Sequence, residues 1–201
     1  MTQHPPRVAV VTGGSAGIGR AICEQLLNEG CRVISLSRRP CDIAHPQLGN
    51  VLVDLMDREA TTQAVRELAA REAVNTVVHN AGVIRAALLP DVQLADVDAL
   101  LNLHLASAIQ LVQASLPTMR AQRYGRVVLL SSRAALGLAT RTAYSATKAG
   151  MLGMARTWAL ELMARHGHNK AAAAGADKTA RIDRASLSRG HAVASPDPGV
   201  P

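Results

Sequence analysis

The chain has 201 residues, a formal net charge of +7 at pH 7, one Trp, two Tyr and no Phe. This length suits a single globular domain, and the sequence begins without the charged-then-apolar pattern of a secretory leader and has no apolar run long enough to span a bilayer, so we expect a cytoplasmic protein. Its basic residues are scattered and its aromatic residues are few, which argues against a nucleic-acid partner.

The three cysteines, Cys23, Cys31 and Cys41, are odd in number and lack the CxxC or mixed Cys/His spacing of metal sites. We therefore expect reduced thiols and predict no metal site. The apolar fraction of the chain is 48%, which is ordinary for a soluble globular domain.

The first predicted elements are a strand over 7–12 and a helix over 18–29, joined by a turn rich in glycine. Glycines 13, 14, 17 and 19 permit a tight turn and close backbone approach, and the free amides at the helix N-terminus form a site for a phosphate. The spacing is TGxxxGxG, not the common GxGxxG of dinucleotide sites. The flanking strand and helix nevertheless favour a dinucleotide site over a turn that merely connects two elements.

A second strand is predicted over 32–37 and is followed directly by Arg38 and Arg39. The ribose of a bound dinucleotide would lie at this end of the strand. Arginine can pair with the 2'-phosphate of NADP, whereas an NAD site carries an acidic residue that accepts from the 2'-hydroxyl. Because position 37 is serine, the sequence favours NADP and leaves NAD possible. Two features weigh against NADP. An exposed charged loop with no ligand would show the same two arginines, and Ala16 offers no second basic contact.

The later elements alternate between strands and helices: strand 50–53, helix 57–71, strand 75–79, helix 96–122, strand 126–131 and helix 143–165. This alternation predicts a Rossmann-type, doubly wound α/β fold with a parallel sheet and helices on both faces. Residues 40–49 are too few and too proline-broken for a crossover helix, so we expect an irregular connection. Two apolar stripes are expected to face the core, namely Leu101, Leu105, Ile109, Val112 and Leu116, and Met151, Ala155, Trp158 and Leu162.

The last predicted helix carries Tyr144 and Lys148, which are four residues apart and therefore lie on one face. Tyrosine ordinarily titrates near pKa ~10, and a fixed positive charge beside it favours the phenolate. Such a pair can exchange a proton with a substrate oxygen near neutral pH. A short YxxxK pattern on an exposed helix also arises by chance, so its weight depends on the other motifs.

Taken together, the glycine turn, Asp54 after a strand, His79-Asn-Ala-Gly, Ser131-Ser132 and Tyr144-Ser-Ala-Thr-Lys follow one another in register over residues 7–166. In this order they resemble the short-chain dehydrogenase/reductase family, and within it the 3-oxoacyl-(acyl-carrier-protein) reductases. The resemblance implies an NAD(P)-dependent oxidoreductase that transfers hydride between a nicotinamide and a small-molecule carbonyl or secondary alcohol.

The resemblance also implies a role for each catalytic residue. Tyr144 would be the general acid or base, and Lys148 would favour its phenolate and bind the nicotinamide ribose. Ser132 would hydrogen-bond the substrate oxygen, with Ser131 as the competing serine. Asn102 would hold a water that links Lys148 to solvent. His79 and His104 are expected to be structural, since the family needs no imidazole.

The cofactor contacts implied by the resemblance fall into four groups along the dinucleotide. They are Gly13, Ser15, Gly17, Ile18 and Gly19 at the phosphates; Ser37, Arg38 and Arg39 at the ribose phosphate; Asp54 at the adenine; and Asn80, Ala81, Gly82, Tyr144 and Lys148 on the nicotinamide side. Relatives of this kind form dimers or tetramers, so helices 96–122 and 143–165 are the expected subunit contacts.

After Gly167 the sequence departs from the family pattern. Ala, Gly, Ser, Pro and charged residues predominate, and no stretch is typical of the last strands and substrate lid of the family. We therefore divide the chain into an NAD(P)-binding domain over 1–167 and an atypical tail over 168–201, expected to be disordered. Two functions stay open: an oxidoreductase, or a truncated or frame-shifted remnant that is catalytically impaired and only binds dinucleotide.

Overall fold

A computed structural model of the chain describes residues 5–166 and 169–174, with side chains as far as residue 162. Its sheet is parallel, with strand order β3-β2-β1-β4-β5-β6. The strands are β1 (Val8–Thr12), β2 (Arg32–Ser37), β3 (Leu48–Leu52), β4 (Thr76–His79), β5 (Gly125–Leu130) and β6 (Asn169–Ala174). The doubly wound Rossmann-type fold is thus confirmed, and the bounds of the first five strands agree with the predicted ones within two residues.

The helices are α1 (Gly17–Asn28), α2 (Arg58–Arg71), α3 (Leu94–Leu101), α4 (Ser107–Ala121) and α5 (Thr142–His166). One helix start has a clear local signal. The carboxylate of Asp57 accepts from the backbone amide of Ala60 and so caps the first turn of α2.

The core lies on both faces of the sheet, because successive side chains of a strand point to opposite faces. Val10 belongs to the larger buried cluster, together with side chains of α2, α4 and α5. Val11 belongs to a second cluster with Cys23 and Leu27 of α1. The carboxyl ends of β1, β2, β4 and β5 consequently meet along one edge of a sheet that is packed on either side.

The predicted helix 96–122 is interrupted by a π-helical turn over Asn102–Ala106. The inserted turn rotates the following residues, so the buried face contains Leu100, His104 and Leu111. The predicted stripe was wrong at Leu101, which precedes the turn, and at Ile109, which follows it. Both side chains are exposed. The stripe on α5 is confirmed at Met151 and Ala155, which are buried in the larger cluster.

The stretch Leu94–Ala121 is long and apolar enough to cross a membrane by those two measures alone. A core helix of a soluble protein passes the same test. This stretch packs against α2, β4 and β5 and buries residues such as Leu111 and Met119, which is how a core helix behaves.

The connection between β2 and β3 is irregular, as predicted. Two contacts hold it in place: Arg20 of α1 forms a salt bridge with Asp42 at 2.8 Å, and the backbone amide of Cys41 donates to the side-chain oxygen of Asn50. The loop that carries Arg38 and Arg39 is thus held at Cys41 and Asp42, although it contains no helix.

We expected no strand after Gly167, yet the backbone of Asn169–Ala174 lies parallel to β5, with Asn169 opposite Gly125 and Ala174 opposite Leu130. An unpaired edge of β5 offers backbone donors and acceptors to any extended segment, and this pairing does not depend on large side chains. An alanine-rich segment gives no strand signal by propensity or alternation. The rest of the predicted tail, residues 175–201, lies outside the described residues.

Candidate active site

The turn between β1 and α1 has the shape that its glycines permit. Gly13 and Gly17 have φ angles of +69° and +55°, in the region that L side chains rarely adopt. A Cβ at Gly19 would collide with the carbonyl oxygen of Gly13. The residue before α1, Ala16, provides no side-chain cap, and the first turn contains no acidic residue. The amides of this turn are thus suited to a phosphate.

Thr12, at the carboxyl end of β1, ties this turn to the end of β4. Its hydroxyl oxygen accepts from the backbone amides of Asn80 (3.0 Å) and Ala81 (2.9 Å), and it lies 3.0 Å from Nδ1 of His79. The side-chain amide of Asn80 donates back to the carbonyl of Thr12 at 3.1 Å. The ends of β1 and β4 therefore form one rigid unit.

Two adjoining cavities form a groove along this edge of the sheet. The smaller, about 120 Å³, is lined by Ser15, Ser37, Arg38, Arg39 and Asp54, among others. The larger, about 460 Å³, is lined by Ile18, Asn80, Ser131, Tyr144 and Lys148, among others. Both include Gly13, Ala81, Gly82 and Val83, so they are continuous. The structure thus brings most of the predicted cofactor residues together; Gly17 and Gly19 shape the turn without lining the groove.

At the end of the smaller cavity, the hydroxyl of Ser37 donates to the carbonyl oxygen of Arg39 at 2.7 Å and fixes the bend after β2. Arg38 and Arg39 are exposed, and neither forms a salt bridge within residues 5–162. Asp54 closes a local turn by accepting from the amide of Met56. This end of the groove therefore offers two exposed guanidinium groups to an anion, beside the carboxylate of Asp54.

At the other end lies the pair from α5. The Lys148 ammonium is 5.7 Å from the centre of the Tyr144 ring, and its Nζ donates to the carbonyl oxygen of Leu130 at 2.8 Å. Lys148 is only 3% exposed, and burial lowers the pKa of its ammonium to about 8. Tyr144 is half-buried beside it. The predicted juxtaposition is therefore present.

The two serines after β5 have different surroundings. The hydroxyl of Ser131 donates to the carbonyl of Lys148 at 2.9 Å and so joins β5 to α5. Ser132 accepts from the amide of Ala134 at 3.2 Å, which uses a lone pair and not the hydroxyl hydrogen. Ser131 lines the larger cavity. The preference for Ser132 over Ser131 therefore stays a prediction.

Asn102 does not lie with the pair. Its side-chain oxygen accepts from Arg58 at 2.7 Å, and its amide nitrogen donates to the carbonyl of Met56 at 3.2 Å. These contacts hold α2 against the start of the π-helical turn. The role expected for Asn102 at Lys148 is therefore not supported by its position.

His104 occupies the place beside the pair. Its ring meets that of Tyr144 edge-on, with centres 5.5 Å apart, and its Nδ1 lies 2.8 Å from the hydroxyl of Thr147. The residue is fully buried, and burial together with the charge of Lys148 lowers its pKa to about 3. From the sequence, a structural role was expected for His104. The available signal was its spacing from Leu100, Ala108 and Leu111, which places it on the buried face.

His79, at the end of β4, is fully buried and contacts Thr12 at the end of β1. Since the hydroxyl oxygen of Thr12 accepts two backbone amides, its hydrogen is directed to Nδ1 of His79, which is thus the unprotonated nitrogen. Burial and then the charge of Lys148 lower the pKa of His79 to about 3, so the ring is neutral. Its expected structural role agrees with these contacts.

Comparison with known proteins agrees with this geometry. Residues 7–183 match the family model for short chain dehydrogenases. The chain is 32% identical over 189 residues to the 3-oxoacyl-(acyl-carrier-protein) reductase FabG of Thermotoga maritima, covering 89% of this chain and 77% of that protein. It is 33% identical over 167 residues to a (2S)-((R)-hydroxy(phenyl)methyl)succinyl-CoA dehydrogenase subunit of Thauera aromatica, covering 78% and 67% respectively.

Among solved structures, a protein of Beutenbergia cavernae described as an NAD(P)-dependent gluconate 5-dehydrogenase, with NADP bound at low occupancy, superposes with a TM-score of 0.78. It is 31% identical, and the match covers 84% of this chain and 71% of that one. The chain therefore belongs to the short-chain dehydrogenase/reductase family. It is an NAD(P)-dependent oxidoreductase by fold and relatives, which are reductases and dehydrogenases of CH–OH and carbonyl groups.

Proposed function

We propose that the chain uses NADP to transfer hydride to or from a carbonyl or secondary-alcohol group of a small molecule, with Tyr144 as the general acid or base. The observation that carries this proposal is the single groove that joins the Tyr144–Lys148 pair to the basic pair Arg38 and Arg39. A proton-exchanging pair and an anion-binding pair at opposite ends of one groove suit a reaction on a substrate held beside a dinucleotide.

The residues of the groove fit this cofactor. Gly19 leaves no room for a side chain against the Gly13 carbonyl, so α1 packs closely on the turn whose amides would hold a pyrophosphate. Arg38 would pair with a 2'-phosphate, and the exposed side chain of Asp54 would contact the adenine. When bound, the nicotinamide supplies or accepts the hydride.

The proton is handled by the chain itself. In reduction the phenol of Tyr144 donates its proton to the substrate oxygen, and in oxidation the phenolate accepts one. The cation of Lys148, 5.7 Å from the ring centre, stabilises the negative phenolate. Ser132 donates a hydrogen bond to the same substrate oxygen, which orients it toward Tyr144.

The first test replaces the phenol. Tyr144→Phe should lower the turnover number by about 100-fold or more, because the proton donor is lost, while leaving the dissociation constant of NADPH nearly unchanged. The matched control is Tyr124→Phe, which removes the other tyrosine hydroxyl next to the start of β5. A turnover number that is the same in both variants and in the wild type contradicts the role of Tyr144.

The second test concerns the cofactor. Calorimetric titration should show tighter binding of NADPH than of NADH, and Arg38→Ala should weaken NADPH binding by about tenfold while sparing NADH. Arg120→Ala, an exposed arginine in the last turn of α4, controls for lost charge. NADPH binding without turnover on any carbonyl substrate would instead support a remnant that only binds dinucleotide.

A further inference from the structure

Four buried side-chain atoms have no hydrogen-bond partner in the part of the chain whose side chains are described, and one of them, Nε2 of His104, belongs to the ring that contacts Tyr144. Nε2 of His104 has no hydrogen-bond partner within residues 5–162, although the ring is fully buried. Leaving a buried acceptor unpaired costs about 1–3 kcal/mol, so such an atom calls for an explanation.

The hydrogen-bond pattern assigns the protonation of this ring. The hydroxyl of Thr147 lies 3.0 Å from the carbonyls of both Ala143 and Tyr144, so its hydrogen is directed back into α5. Its lone pair must then accept from Nδ1–H of His104, at 2.8 Å. Nε2 is therefore the unprotonated nitrogen and carries a lone pair.

That lone pair borders the same small space as the ammonium of Lys148. A point at the Cβ position of Gly82 lies 3.1 Å from Nε2 of His104 and 3.5 Å from Nζ of Lys148. One N–H of Lys148 is used by the Leu130 carbonyl, which leaves two for other acceptors. Gly82 keeps the space open, because a side chain there would press on Nε2 of His104 and would also touch Nζ of Lys148.

We propose that His104, and not Asn102, is the positioning residue of this site: held through Nδ1–H by Thr147, it directs the lone pair of Nε2 into the space that it shares with the Lys148 ammonium, without a direct hydrogen bond, and thereby favours the charged form of Lys148 beside Tyr144. This proposal rests on the proposed function for its catalytic consequence. The π-helical turn over Asn102–Ala106 is the device that places it there, since the turn directs His104 inward and Asn102 toward Arg58.

The titratable groups that face His104 are Lys148 and Tyr144 from α5 and His79 from β4. With its pKa lowered to about 3, the ring of His104 is neutral at neutral and alkaline pH. Its effect on Lys148 is thus that of a fixed acceptor and not of a second titrating charge. Removing the acceptor should make the lysine easier to deprotonate.

The test measures Lys148 directly by carbon-13 NMR of lysine labelled at Cε, in wild type, His104→Leu and His104→Asn. Assignment is simple, because Lys148, Lys170 and Lys178 are the only lysines of the sequence. We expect His104→Leu to lower the pKa of Lys148 by about one unit and His104→Asn, which restores an acceptor, to return it toward the wild-type value. Ser115→Ala, which removes a buried hydroxyl bonded within α4, should leave it unchanged.

A Lys148 pKa that is the same in His104→Leu and in the wild type overturns the proposal. If that variant does not fold, nitrogen-15 NMR of histidine in the wild type decides, because the proposal requires the Nδ1–H tautomer at residue 104 and the Nε2–H tautomer overturns it. Thr147→Val should then mix the two tautomers. None of these measurements needs turnover, so an inactive wild type would refute the proposed function without deciding the role of His104.

Discussion

Replacing Lys148 by methionine should make the protein more stable at neutral pH while it removes the proposed activity. Lys148 is 3% exposed, and its ammonium is held in an environment that disfavours charge. Methionine matches the length of the lysine stem and carries no charge, so it can fill the same space. A buried cation destabilises the folded state, even where its charge serves the reaction.

The structure sets the size of the effect. Burial lowers the pKa of Lys148 from 10.5 to about 8, and each pKa unit corresponds to about 1.4 kcal/mol, so the charged form costs about 3 kcal/mol in the folded state. Losing the hydrogen bond to the Leu130 carbonyl offsets about 1 kcal/mol of this. The free energy of unfolding of Lys148→Met at pH 7 should thus exceed that of the wild type by about 2 kcal/mol, and its urea midpoint should be about 1 M higher.

The difference in stability between Lys148→Met and the wild type should change with pH. Below pH 8 the folded wild type holds the buried cation and bears the whole penalty. Between pH 8 and 10.5 the folded state loses this proton while the unfolded chain keeps it, so wild-type stability rises with pH. The advantage of Lys148→Met should therefore shrink across this window and reverse, by about 1 kcal/mol, above it.

The assay is urea unfolding of both proteins from pH 6 to 10.5. The other titratable groups are common to both proteins, so their contributions cancel in the difference. Tyr144 is adjacent, so the pair is also compared in a Tyr144→Phe background. A difference that does not change with pH, or a variant less stable than the wild type at pH 7, refutes the reasoning.

Three further changes test the frame of the site. Thr12→Val should lower the free energy of unfolding by about 2–3 kcal/mol in urea, because two backbone amides after β4 lose their acceptor; a loss under about 0.5 kcal/mol contradicts this. Gly19→Ala should weaken NADPH binding by more than about tenfold in calorimetry, since its Cβ meets the Gly13 carbonyl, whereas Gly153→Ala, which has open space, should not. Asp57→Ala should cost about 1 kcal/mol in thermal unfolding through the lost cap of α2, and an unchanged melting temperature would count against that cap.

Much of the fold was predictable because its signals are local. Apolar runs such as Val8–Thr12, the glycines that follow it and the change to a helical period are all read within about 20 residues. The same holds for Tyr144 and Lys148, whose spacing puts them on one face of a helix whatever the rest of the chain does. β6 was not predicted, because it is formed by backbone pairing with the edge of β5 and its alanine-rich sequence has no strand pattern.

The sequence by itself therefore determined the order of strands and helices, the glycine turn, the basic pair after β2 and the Tyr144–Lys148 pair, because each depends on residues close together in the chain. Only the tertiary structure showed that Asn102 contacts Arg58 and that His104 is buried beside Tyr144. Asn102 and His104 are separated by half a helical turn, and the π-helical turn that begins at Asn102 was not predicted, although the spacing of His104 from Leu100 and Leu111 is that of a buried face. Which polar side chain lies beside Tyr144 is thus set by packing, since it depends on how α4 and the π-helical turn meet β4 and α5.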